Sequence, residues 1–371
     1  MTNKELFFFI GKCLSLDDHP DFRDEIIRKI SNESIDWQRF VYHCSNHLIL
    51  PVIYLKFRSH EILKHIPEEL SDLLKEIYEL NSIRNNLILK QLQDLTNIFN
   101  KQDIYPTFMK GTGNLLDNLY SDRGERIIGD IDLLVPEKEY QKAAKVLKDD
   151  GYVIHSKGYT DIGDLKHYPG LFKAGTPARV EIHRLPVEAK YFSWFNPEMI
   201  EHEKKVIKGE FTFFLLSDSH KAIHNFIHGQ LGHEGYAYGI ASFRDIYDLY
   251  LIAKRIDLQQ TFDQSPFKRK GTAYLALAGK AFDLPGWSHD RSVSTRLYLR
   301  KHDLNLTSTL FFVTHRSLRY LFKRIVIGYT SQLFRSVYSK RMRQLILVRI
   351  TNRNWCQEHL NSYKVFFHRT N

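Results

Sequence analysis

Arg126-Ile127-Ile128-Gly129-Asp130-Ile131-Asp132-Leu133-Leu134-Val135 sets two carboxylates inside a run that otherwise reads as a buried β-strand. In a strand, residues two apart share a face, so Asp130 and Asp132 point one way while Ile131, Leu133 and Val135 pack the other way. Left unpaired in a half-buried sheet, the two charges repel and one carboxyl is driven to protonate. A bound divalent cation removes that conflict, and magnesium favours carboxylate oxygens together with water and phosphates. A solvated sheet face shows the same alternation with no metal at all. The motif alone leaves both readings open.

A second stretch, Ala178-Arg179-Val180-Glu181-Ile182-His183, alternates in the same way. Arg179, Glu181 and His183 fall on one face, and Val180 and Ile182 on the other. If the two strands are neighbours, Glu181 is a third carboxylate beside Asp130 and Asp132. Three acids on adjacent strands can hold two cations, the arrangement that stabilises both attacking and leaving oxygens in phosphoryl transfer. His183 can carry a proton or touch a substrate, or be structural.

Upstream, the apolar run Ile104 to Met109 feeds Lys110-Gly111-Thr112-Gly113, with a helix expected from Asn114 to Tyr120. Strand, glycine turn and helix start can present backbone N–H groups and a positive dipole end to phosphates, with Lys110 adding a charge. The Lys110 stem can instead pack under the sheet. Arg123 and Arg126, in the loop leading to the DxD strand, can fork onto phosphate oxygens. The alternative is that one of them pairs with Asp122 or Glu125.

Around these motifs the texture changes twice. Residues 1–103 read as helical, the clearest helix lying near residues 69–100. Residues 104–216 alternate strands with helices: helix Glu139 to Asp149, a strand at Tyr152 to Ile154, a hairpin from Gly170 to His183, and a closing apolar run Phe211 to Leu216. From 217 to 371 the chain returns to helix, with Ser217 or Asp218 as a cap and Phe243 to Lys254 as an amphipathic helix.

The order of these motifs, MKG, an arginine before DIDLLV, a helix ending in DDGY, then VEIH, resembles the uncharacterised bacterial nucleotidyltransferase family of the DNA polymerase beta-type superfamily, over about residues 80–255. The resemblance implies an α+β fold: a nucleotidyltransferase-type mixed sheet with flanking helices, plus N-terminal and C-terminal helical regions. Gly111 and Thr112 match the superfamily's turn, Asp130 and Asp132 its DxD, and Glu181 its third acid. Thr112 stands where Ser or Gly is usual, and the gap from Gly111 to Asp130 is longer than the superfamily's. Implied with the family are two magnesium ions, a nucleoside triphosphate such as ATP, an acceptor of unknown kind, and release of pyrophosphate. Arg244, Asp245 and Asp248 resemble the acidic helix that follows the sheet, as capping or acceptor contacts.

Composition narrows the class. Of 371 residues, 43% are hydrophobic and 26% charged, which is globular rather than disordered. Cys13, Cys44 and Cys356 are scattered without CxxC spacing, which argues against a disulfide framework or structural zinc and fits a reducing cytoplasm. The N-terminal LFFFIG reads as a helix face, and no transmembrane segment is expected. His220, His224 and His228 form a helical stripe with His233 beyond; lacking the HExxH pattern, they suit a cleft wall or a packed helix better than zinc. His224 and His228, with Asp245, are candidate acceptor or proton-transfer contacts.

Charge is uneven. Residues 291–353 carry fourteen Lys or Arg and one acid, Asp303, so this segment holds +13 of a net +10. Its interleaved aromatics suit RNA, an anionic surface, or simply the core of a helical subdomain. Two rival functions follow: a non-catalytic protein of this fold that docks a partner or membrane through its basic tail, or a nucleotidyltransferase toxin that modifies transfer RNA.

Overall fold

The computed structural model describes residues 1–32, 35–154, 166–287, 290–357 and 361. The chain forms two compact units, Met1–Arg300 and a smaller one from Lys301 onward. The first is α+β, with one mixed seven-stranded sheet and helices on either side of it in sequence.

The strands are β1 Thr107–Phe108, β2 Ile131–Leu134, β3 Val153–Ile154, β4 Leu171–Phe172, β5 Val180–His183, β6 Lys205–Lys208 and β7 Thr212–Leu215. Their order is β3-β4-β5-β2-β1-β7-β6. β2 runs parallel to β5 and antiparallel to β1, and β1 runs parallel to β7. The DxD strand is therefore central, and its apolar residues Ile131, Leu133, Val180 and Ile182 are fully buried. Helix Lys110–Leu116 packs on β1 and β2, while helix Tyr140–Asp149 packs on β5 and the long helix Glu68–Asn100.

Several elements form where the residue pattern says they should. Helix Asn3–Leu14 takes up LFFFIG, and Thr2 with Glu5 forms a reciprocal capping box at its start. Ser217 caps helix Asp218–Phe226, its hydroxyl accepting the His220 N–H at 3.2 Å. Three differences stand out: the helix expected from Asn114 to Tyr120 runs instead from Lys110 to Leu116, so Lys110-Gly111-Thr112-Gly113 forms its first turn. The expected strand at Ile104 to Met109 is confined to two residues, and Lys205–Lys208 adds a strand against β7 that lies in an exposed, lysine-flanked segment.

The long helix does more than pack. Its Asn85 side chain donates to the carbonyls of Arg123 and Arg126 at 2.6 and 2.8 Å, and Asn81 donates to that of Gly124 at 2.7 Å. Arg84 donates to the carbonyls of Ile128, Gly129 and Pro177. Gln91 both donates to the Ala178 carbonyl and accepts its N–H. Loop backbone groups that would otherwise be orphaned are satisfied by one helix face, which fixes the approach of the chain to both β2 and β5.

Among the described residues, no helix is long and apolar enough to cross a membrane.

Candidate active site

The parallel register of β2 and β5 pairs Ile131 with Val180, Asp132 with Glu181, and Leu133 with Ile182. Two carboxylates on one face thus become neighbours across a strand spacing. Asp132 is only 5% exposed, so the solvated-face reading does not hold for it. Asp130 lies one residue before β2 and stays half-exposed.

Basic groups meet these acids. Lys110 Nζ lies 2.5 Å from Asp132 Oδ1, and His183 Nε2 lies 2.9 Å from the same oxygen. Arg179 Nη2 donates to Asp130 at 2.7 Å and lies 2.9 Å from Glu181 Oε1, joining the first and third acids. Burial alone would raise the Asp132 carboxyl, but the Lys110 ammonium and the His183 hydrogen bond outweigh it and hold it well below the usual carboxylate range. Burial pushes His183 down to about 4 against the opposing pull of Asp132, so the imidazole is neutral at pH 7 and donates through Nε2–H. Lys110 and Arg179 pair with these acids directly, and the Lys166 ammonium and the Arg84 guanidinium also lie within their field.

Ligand atoms of Asp132, Glu181 and His183 all lie within 4.8 Å of one another, close enough to share a single ion. Two carboxylates in register, with water access through the half-exposed Asp130 side, suit a hard divalent cation. The two carboxylates fit a hard divalent cation such as magnesium, whereas His183, which donates its Nε2–H to Asp132, is not one of its ligands. Asp130 is outside that triad and is tied to it through Arg179.

Lys110 has φ of +51°, a left-handed backbone that a non-glycine residue adopts at a cost of roughly 1–2 kcal/mol. The conformation turns its side chain back over β2. Gly113 is required three residues later in the same helix: a Cβ there would stand 2.6 Å from the Phe108 carbonyl oxygen, so glycine lets the helix sit directly on β1. Thr112 is fully buried, its hydroxyl donating to the Met109 carbonyl at 3.0 Å.

A cavity beside Lys110 and Gly111 is lined by Arg126, His224, His228 and Asp245. The structure so brings together the turn, the candidate acceptor contacts and the Asp132 side of the sheet. His224 donates through Nε2 to the Pro186 carbonyl at 3.0 Å, and burial pushes it to about 3. The His228 ring lies 4.3 Å from that of His233.

The two loop arginines part company. Arg126 is buried and forks onto Asp248, Nε to Oδ1 at 3.0 Å and Nη2 to Oδ2 at 3.0 Å, while Tyr120 Oη donates to Asp248 at 3.0 Å. Burial weighs against its charge, yet Asp248 more than offsets this and strengthens its hold on the proton. Its partner is neither Asp122 nor Glu125 but a residue 122 positions away, so it anchors the loop to helix Phe243–Ala253. Arg123 reaches the exposed Asn86 side chain at 3.2 Å and is not gathered with the acids. Arg179, which alternation places beside Glu181, and Arg84 are the participants to which the motifs assign no role. Arg179 shares the face of Glu181 by simple alternation, whereas nothing near Arg84 in sequence marks it.

No curated protein matches the chain. A family model described as "Uncharacterised nucleotidyltransferase" matches residues 33–273, well over half of the 371 residues, and spans every group just described. With that match and a DxD strand paired in register to a third acid, the chain belongs to the uncharacterised nucleotidyltransferase family and is a nucleotidyltransferase, an enzyme that transfers phosphorus-containing groups.

Proposed function

We propose that the chain transfers a nucleoside monophosphate from a nucleoside triphosphate, ATP in the first instance, to an acceptor hydroxyl with release of pyrophosphate. The observation that carries this reading is the register of Asp132 against Glu181 with Lys110 on the same carboxylate. Asp132 and Glu181, with Asp130 once Arg179 releases it, are the residues that would hold magnesium, two ions being the number three such acids serve. When bound, magnesium neutralises phosphate charge and supports both the attacking and the leaving oxygen.

The remaining work falls to this chain's own side chains. Lys110, freed from Asp132, moves its ammonium to the phosphates beside the Gly111 and Thr112 backbone. Arg179, freed from Glu181, offers a planar guanidinium to the same group. The acceptor oxygen bonds to the α-phosphorus as the bond to the pyrophosphate oxygen breaks. Glu181 takes the acceptor proton, and His183, neutral at pH 7, keeps Asp132 in place. Arg126 is a positioning residue acting through its pair with Asp248, while His224, His228 and Asp245 line the acceptor side.

Incubation with each α-labelled triphosphate, magnesium and host-cell extract tests the reading: label passes to an acceptor with the wild-type protein and not with Asp130→Asn, Asp132→Asn together. Calorimetry that finds no magnesium-dependent triphosphate binding would overturn it in favour of a binding-only scaffold.

A further inference from the structure

The unit from Lys301 onward contains the consecutive helical stretches Thr309–Leu321, Phe322–Tyr329, Thr330–Tyr338 and Lys340–Thr351. Among the described side chains from 309 to 357, none is buried. Leu310 and Tyr338 are each 78% exposed and Phe334 is 67% exposed. In the third stretch Leu333, Phe334, Val337 and Tyr338 recur at helical spacing and so share one side, and all four are exposed. A chain in water does not normally leave so much contiguous apolar surface uncovered.

The charge of the same stretch identifies what covers it. Residues 309–357 contain ten Lys or Arg and no Asp or Glu. A nucleic acid would answer the cations but leave the aliphatic side chains in water. An apolar protein groove would take the aliphatics but leave the segment's net charge unanswered. An anionic bilayer interface answers both, with phosphates for the lysines and arginines and an acyl boundary for Leu, Ile, Val and Phe. No described helix can cross a membrane, so these helices would lie in its plane.

We propose that residues 309–351 dock the protein onto an anionic membrane surface. The segment lies beyond the matched 33–273, so the proposal does not depend on the reaction.

Flotation of the full chain with vesicles tests it. The protein is expected to float with phosphatidylcholine vesicles containing phosphatidylglycerol and to stay behind with phosphatidylcholine alone. Phe334→Ser with Val337→Ser, and separately Arg335→Gln with Lys340→Gln, should each lower the partition on the order of tenfold, with circular dichroism unchanged because all four residues are exposed. Absence of flotation with the anionic vesicles overturns the proposal. So does binding to polyuridylate that displaces the vesicles and survives the Phe334 and Val337 changes, or a dimer seen by light scattering that those changes dissolve while vesicle binding is absent.

Discussion

Lys110 Nζ lies 2.5 Å from Asp132 Oδ1, so the buried acid of the DxD strand already carries a counter-charge from the first residue of helix Lys110–Leu116. An ammonium thus sits where the proposed reaction needs a metal and a phosphate to meet. Lys110→Met should leave Asp132 buried and unpaired except for His183, costing about 2–3 kcal/mol, somewhat less than a fully buried pair because the lysine is partly exposed. Magnesium should then raise the melting temperature of the variant more than that of the wild type, and adding Asp132→Asn should remove the difference. Equal magnesium responses in both would sink the idea that Lys110 and the ion compete for one carboxylate.

The Arg126 to Asp248 pair makes a separate prediction about stability. Both side chains are nearly buried, and Tyr120 shares the same carboxylate. Arg126→Met and Asp248→Asn should each cost about 3 kcal/mol in urea denaturation, and the double variant much less than their sum. Additive losses would show that the two groups do not act as a unit.

Glycines of the site divide by what a methyl group would meet. Gly113→Ala drives a Cβ into the Phe108 carbonyl and should destabilise the protein by about 2 kcal/mol while separating the turn from β1. At Gly129, just before the DxD motif, nothing lies within 4 Å, so Gly129→Ala should stay within about 0.5 kcal/mol. Thermal melts of the pair check both.

Buried histidines give a pH dependence. His47 Nδ1 accepts the Phe243 N–H at 3.2 Å and is held by burial at about 4; His224 is held at about 3. Their folded values lie below the unfolded 6.5, so the unfolded chain binds more protons. Their stabilisation is complete above pH 6.5 and is lost as pH falls toward 4, by about 2 kcal/mol each at pH 5. His47→Asn, which keeps an acceptor for Phe243, should flatten the fall in melting temperature between pH 6.5 and 5. An unchanged slope would count against it.

Much of this site is legible from alternation. The spacing in DxD and in Arg179-Val180-Glu181-Ile182-His183 states which side chains share a face, and both strands form. Adjacency of the strands is a long-range fact that the residues permit but do not state. The partner of Arg126 is equally hidden, since Asp248 lies beyond six intervening strands' worth of chain and is reached only through the fold. Helix Glu68–Asn100 reads correctly as a packing element from its leucines, yet Asn81, Arg84, Asn85 and Gln91 carry no periodic signal of the carbonyls they serve.

Those four side chains have a consequence for where the enzyme can be cut. A chain starting at Ile104 would keep all seven strands and every acid, yet the carbonyls of Arg123, Gly124, Arg126, Ile128, Gly129, Pro177 and Ala178 would lose their donors together. Such a fragment would keep the reactive groups and lose the frame that aims them, so the smallest working unit has to begin before the long helix.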